Sequence, residues 1–209
     1  QGKVFFTDYD MVQVEMSKVG RAKPVKPENF GKINVFNEYF GKGLSSIVFQ
    51  EIRESKSLAY SANVMYNANS EAGKHDYVTS YVGTQADKLP LAVDAIRHLM
   101  LEFPQINFQF ENAKNSALKQ IATGRIKRTH IFFNLKNLNK LGVDYDLRKD
   151  MYAEIEKLTL AELTDFYNNE IKSITFNTAL MGKKENLDMK AIQAMGELVE
   201  VSLEELFGY

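Results

Sequence analysis

Apolar and polar residues alternate along this chain with two different periods. Met11-Val12-Gln13-Val14-Glu15-Met16 puts Val12, Val14 and Met16 on one side and Gln13 and Glu15 on the other, the two-residue repeat of a strand. Val4-Phe5-Phe6 ahead of it also predicts β-structure. The stretch from Gly20 to Pro27 predicts a connector, because its two prolines disfavour both helix and ladder. From Glu28 to Ser55 the period lengthens. Phe30, Ile33, Phe36, Phe40, Leu44, Ile47 or Val48, and Ile52 recur at helical spacing. Gly41-Lys42-Gly43 divides this stripe into two helices, the second starting near Ser45 or Ser46.

Strands follow over Leu58 to Tyr66 and Tyr77 to Gly83. The turn-forming run from Asn67 to Gly73 between them predicts an antiparallel pair. Asp87 is a candidate cap for a helix through Leu89, Val93, Ile96, Leu99 and Met100, with Pro90 tolerated in its first turn. A long helical stretch runs from about Asn107, is interrupted near Thr123-Gly124 and ends at Gly142, a suitable C′ glycine. Thr159-Leu160-Ala161-Glu162 has the form of a capping box for a helix to about Glu170. Ser173 to Met181 predicts a strand, Asp188 to Met195 a short helix and Leu198 to Val201 a last strand. This order predicts one α+β domain over residues 1–209, a largely antiparallel sheet with helices packed on one face.

Composition narrows the function classes. The chain has 209 residues, with Lys+Arg 26 against Asp+Glu 27 and a net charge of -1, so no general electrostatic attraction to nucleic acid is expected. Hydrophobic residues at 44% recur throughout, which excludes low-complexity disorder, and the lack of Cys excludes disulfides and thiolate-bound metals. No apolar run approaches the roughly 18 residues of a membrane-spanning helix. The chain opens on Gln1-Gly2-Lys3, without an initiator Met, a basic n-region or an apolar h-region. The expectation is therefore a processed or excised piece without a signal peptide, and nothing in it assigns a compartment.

Candidate chemistry is sparse. None of His75, His98 and His130 lies at helical spacing from another, and His-x-x-Glu-His is absent. His98 is expected at a helix surface. His75 beside Asp76 is either an acid-base pair or an ordinary solvated turn. Lys114, Lys119, Arg125, Lys127, Arg128 and His130 form the one notable basic cluster, expected to be a solvated helix face. Gly41-Lys42-Gly43 lacks the spacing of a phosphate loop, and no Gly-x-Ser-x-Gly elbow occurs.

One segment differs. Between Phe49 and Ser61, Arg53 ends a predicted helix and Tyr60 begins the next strand, so a helix-to-strand turn can bring both side chains to one spot. A guanidinium and a phenol offer donors to a peptide carbonyl or to the oxyanion it becomes. The same residues also fit a surface ion pair and a tyrosine packed at a sheet edge.

Gly43-Leu44-Ser45-Ser46, Phe49-Gln50, Arg53-Glu54 and Leu58-Ala59-Tyr60 together resemble the insulinase/pitrilysin zinc-metallopeptidase family, which includes the mitochondrial processing peptidases. The likeness extends to the opening strand, the strand pair, the Gly83 to Leu99 unit, the Thr159 capping box and the Leu206-Phe207-Gly208-Tyr209 ending. It implies the C-terminal, non-zinc half of such an enzyme, holding no cofactor itself. Zn²⁺ and its His-x-x-Glu-His motif would lie on a homologous N-terminal half, in the same polypeptide or a separate subunit. By the same resemblance Arg53 and Tyr60 would reach the backbone of a peptide substrate. The alternative within the family is a non-catalytic peptide-binding or scaffold subunit. The resemblance also implies a glycine just before Leu-Ala-Tyr, where this chain has Ser57. A positive φ at that position would cost Ser about 1 kcal/mol.

Overall fold

The computed structural model describes residues 2–208. Strands β1 (Lys3–Asp8) and β2 (Val14–Ala22) lead into helix α1 (Phe30–Phe36), which widens without a break into a π-helical segment, Asn37–Gly41. A second π-helical segment, Phe49–Ser55, precedes the antiparallel strands β3 (Ser61–Asn67) and β4 (Asp76–Thr84). Helices α2 (Leu89–Leu101), α3 (Asn107–Thr123), α4 (Ile131–Lys140), α5 (Arg148–Lys157) and α6 (Leu160–Glu170) come next. The chain then forms β5 (Phe176–Gly182), α7 (Met189–Ala194), β6 (Glu197–Glu200) and α8 (Leu203–Phe207).

The strands form one six-stranded sheet in the order β3-β4-β2-β5-β1-β6. β3, β4, β2 and β5 pair antiparallel, while β1 runs parallel to β5 and β6. The antiparallel majority expected from the sequence is present, with a parallel edge made where the last strands close around the first. Side chains alternate: Val14, Met16, Gly20 and Ala22 of β2 are buried under the helices, and Glu15, Ser17, Val19 and Arg21 between them are not. β4 repeats this with Val78, Ser80 and Val82 inside. One face of the sheet therefore carries the helical layer and the other is open.

The core lies between sheet and helices. The helical stripe read from Phe30 onward supplies Phe36 and Phe40, which stack with centroids 5.4 Å apart. Phe103 lies 4.3 Å from Tyr167, the tightest ring pair in the cluster. Each fully buried side chain of this size is worth about 1.5–3 kcal/mol of removed apolar surface. The polar tips are satisfied. The Tyr39 hydroxyl donates to Pro104 O at 2.7 Å and accepts from Ile106 N–H at 3.1 Å, and that of Tyr167 donates to Met100 O. Edge strand β3 is partly covered. Asn37 of the first π segment accepts from Tyr66 N–H at 2.8 Å and donates to Tyr66 O at 3.0 Å. Gly41 makes that approach possible, since a Cβ there would sit 1.5 Å from Val64 O.

Several expectations need correction. The strand read over Met11 to Met16 starts at Val14 and runs on into the start of the expected connector, as far as Ala22, with full pairing to β4. Gly20 sits inside the strand, paired with Val78 and Phe176, and the side chain of Ile174 fills the space beside it; an added Cβ would lie 2.2 Å from Ile174 Cγ2. Asp87 makes no capping bond and lies in a short 3₁₀ turn ahead of α2. Helices α5 and α8 went unread. α5 is mostly charged and fully buries only Ile155, so it has little apolar period to detect. The basic cluster is not one helix face, because α3 ends at Thr123 and residues 124–127 are non-helical. Lys114 is drawn in to donate to Leu158 O at 3.0 Å. The Thr159–Glu162 capping box and the left-handed Gly142, φ 76°, stand where expected. Tyr209 of the noted C-terminal ending lies outside the described residues.

Candidate functional site

The segment singled out in the sequence is built by local bonds. Ser46 is fully buried, and its hydroxyl donates to Gly43 O at 2.9 Å and accepts from Phe49 N–H, so it caps the helical run of residues 47–55. Between Ser45 and Ser46 the structure selects Ser46. Residues 49–55 are π-helical, a wide geometry that recurs at functional sites. The run ends on Ser57, which adopts φ 48°, the one positive φ of a non-glycine among the described residues. Leu58 N–H then reaches back to Ile52 O at 2.9 Å and Ser57 N–H to Arg53 O at 3.1 Å, closing the helix end with a left-handed cap. The conformation that favours glycine is therefore required here and is made by serine, at a local cost of about 1–2 kcal/mol.

Three bonds from β4 and its exit hold residues 57–60 in place. The buried Thr84 hydroxyl donates to Leu58 O at 2.5 Å, Lys88 Nζ donates to Ser57 O at 3.2 Å, and Tyr60 N–H donates to Gly83 O at 2.9 Å. Sequence reasoning missed Thr84 and Lys88. The only signal for them was their position just beyond the strand expected to pair with the Tyr60 segment.

This frame brings Arg53 and Tyr60 together. The guanidinium carbon lies 5.7 Å from the centre of the Tyr60 ring and 4.9 Å from that of Phe49. Cation–π support of this kind is worth about 0.5–1 kcal/mol at an exposed site. Arg53 Nε sits 3.8 Å from Glu54 Oε1, and its terminal nitrogens donate to no group among the described residues. Tyr60 is 71% exposed, so its hydroxyl faces solvent rather than the core. Chemically the pair offers a planar cationic fork and a phenol hydroxyl side by side, both donors, on a backbone tied by hydrogen bonds to β4 and its exit.

The remaining candidates separate. Asp76 is buried and takes bonds from Tyr66 OH at 3.0 Å, Val25 N–H at 3.0 Å and Asn69 N–H at 2.8 Å, none from His75. Burial and the Asp76 carboxylate together push the Tyr66 hydroxyl well above its ordinary pKa, so it serves as a donor. His75 Nδ1 contacts Ala22 O at 3.0 Å, so the two are not an acid-base pair. His98 lies on the helix surface, 3.5 Å from Glu102. No group of three or more His, Asp or Glu among the described residues is placed to hold a metal ion, so these residues do not fit a zinc site.

No curated protein is significantly similar in sequence to this chain. Its fold is similar to a peptidase M16 inactive domain from Pseudomonas fluorescens, with TM-score 0.68 and 14% identity over 87% of this chain and 43% of that one. A protease from Helicobacter pylori superimposes with TM-score 0.69 at 13% identity, covering 86% of this chain and 43% of the other. A chain of Complex III2 from Candida albicans, Inz-5 bound, gives TM-score 0.64 at 12% identity, over 95% of this chain and 49% of that one. The chain thus spans less than half the length of each, and at such identities the likeness is one of fold. Residues 4–116, just over half of the chain and including the whole Arg53–Tyr60 segment, match the family model described as the peptidase M16 inactive domain. With the left-handed helix cap, the supported Arg–Tyr pair and the sheet already in place, that match shows that the chain belongs to the peptidase M16 inactive-domain family.

Proposed function

We infer that this chain is the non-zinc half of a two-part M16 metalloendopeptidase, and that Arg53 and Tyr60 hold the substrate backbone at the scissile peptide. The observation that carries this reading is the juxtaposition itself: a guanidinium 5.7 Å over a tyrosine ring, exposed, on a turn tied to β4. Side chains held this way lose little further freedom when they donate to a carbonyl. As the carbonyl carbon becomes tetrahedral its oxygen gains charge, and both donors then bind more strongly than in the ground state. The metal, in this reading, belongs to a homologous half carrying His-x-x-Glu-His. The family's description as an inactive domain agrees with a half that supplies binding groups and no metal.

The test is Tyr60→Phe in the assembly of this chain with its zinc-bearing half, using a quenched fluorescent peptide. Loss of one oxyanion donor should lower kcat by about 10²–10³-fold while KM changes little. An unchanged kcat removes Tyr60 from the mechanism.

A second reading rests on α4. Ile131, Phe132, Phe133 and Leu135 are all exposed, and α4 buries no residue. An exposed apolar cluster of this kind suits a subunit docked in an assembly, acting as a peptide-binding or scaffold component without catalysis. The discriminator is the remaining sequence: if neither the same polypeptide nor a copurifying partner carries His-x-x-Glu-His, the scaffold reading is the better account.

A further inference from the structure

One cavity lies away from Arg53 and Tyr60. It is a partly open cavity of about 640 Å³ between the sheet, α2 and α7, with walls from Val93, Phe176, Ile192 and Met195. That size is typical of sites for small organic molecules, which are mostly apolar with a few placed polar groups.

Lys18 opens into it. On β2 this residue belongs to the helix-facing series of Val14, Met16, Gly20 and Ala22, so the pleat turns its side chain into the layer where the others are apolar. The rung it occupies is polar on both sides, flanked by Thr178 and Ser80, both buried, and Ser80 Oγ has no hydrogen-bond partner. No carboxylate among the described residues lies within ion-pair distance of Lys18. Four charged side chains line the cavity: Lys18, Arg97, Asp94 and Asp188. Both carboxylates are committed elsewhere. Asp94 pairs with Arg97 at 2.9 Å, and Asp188 caps α7 by accepting from Lys190 N–H and Ala191 N–H. Lys18 alone of the four has no direct partner among the described residues, although the charges of the lining sum to zero. Burial, and secondarily the nearby Arg97, lower the pKa of Lys18, as expected for an ammonium facing apolar walls without a counterion.

We propose that this cavity is a binding site for a singly charged amphipathic carboxylate, its head on Lys18 beside Arg97 and its apolar body between α2, α7 and β5. A single negative charge matches the one charged lining group that has no direct partner. A doubly charged phosphate would bring its second charge against Asp94 and Asp188. The apolar walls account for the body and the partly enclosed shape for a small molecule. The site is independent of the peptidase reading.

The test uses decanoate below its micellar concentration, with decanol as the neutral twin of equal length, titrated calorimetrically into the full protein. Decanoate binds saturably at one site per chain, and decanol binds at least tenfold more weakly. Lys18→Met keeps the melting temperature at or above wild type, weakens decanoate at least tenfold and erases the preference over decanol. A second variant, Ala191→Trp, fills the mouth from a partly exposed position on α7 and abolishes decanoate binding even if Lys18→Met fails to fold. Absence of saturable decanoate binding to wild type, equal binding by folded Lys18→Met, or full binding by Ala191→Trp each overturns the proposal.

Discussion

Arg53 and Lys18 are both positive side chains of one chain, yet their surroundings are opposite. Arg53 stands at the rim of a helix-to-strand turn, laid against the rings of Phe49 and Tyr60, with its terminal nitrogens free among the described residues. Lys18 points from the middle of β2 into an apolar cavity, where burial lowers its pKa. A guanidinium is weakly hydrated, so holding it on two aromatic faces costs little. The ammonium is strongly hydrated, and burying it costs free energy until an anion arrives. The exposed cation is therefore preorganised at small expense, whereas the enclosed one destabilises the empty fold.

The sharpest test of this contrast is a pair of substitutions read by two measurements. Tyr60→Phe should lower kcat of the assembled enzyme by about 10²–10³-fold without moving the melting temperature, since Tyr60 is exposed. If its melting temperature falls by several degrees instead, the tyrosine is a structural residue and the contrast collapses. Thr84→Val comes next. It removes the hydroxyl bonded to Leu58 O and should destabilise the chain by about 1–3 kcal/mol in urea unfolding, with a smaller loss of kcat as Tyr60 loses its frame. An unchanged midpoint would show that the turn holds itself.

Lys18→Met should do the reverse of Tyr60→Phe, leaving kcat unchanged and raising stability by about 1 kcal/mol at neutral pH. Its pH dependence is set by the direction of the shift. The Lys18 pKa is below the usual 10.5 in the folded chain, so between the lowered value and 10.5 the unfolded chain binds more protons. Wild-type stability therefore rises with pH across that window, and the advantage of the methionine variant is widest at neutral pH and closes toward 10.5. An advantage that widens with pH contradicts the buried-ammonium account. The smallest effect expected is for Ser57→Gly. Relief of the φ 48° conformation, less the extra backbone entropy of glycine, leaves a gain of about 0.5–1 kcal/mol. A loss of stability would mean that the serine side chain contributes more at this turn than its backbone strain removes.

Much of the fold was legible in the order of residues, and the parts that were not have identifiable causes. The strand pair β3–β4, the α6 capping box and the aromatic stripe entering the core were readable because each rests on contacts within a few turns of chain. The Arg53–Tyr60 pairing was readable for the same reason. The extension of β2 past Gly20 to Ala22 was not, because it rests on pairing with β4, far along the chain, while the prolines that follow locally predict a connector. Helix α5 was missed because one buried Ile155 among charged residues leaves little periodic signal.

By itself, the order of residues determined the secondary elements of the aromatic core and the closeness of Arg53 to Tyr60. All of these arise from short-range chain geometry. Only the tertiary structure decided that β1 lies between β5 and β6, that Thr84 and Lys88 pin the turn, and that Lys18 faces a cavity closed by α2 and α7. The reason is distance along the chain. A two-residue period assigns side chains to two faces, but which face is covered, and by what, depends on packing between segments far apart in sequence.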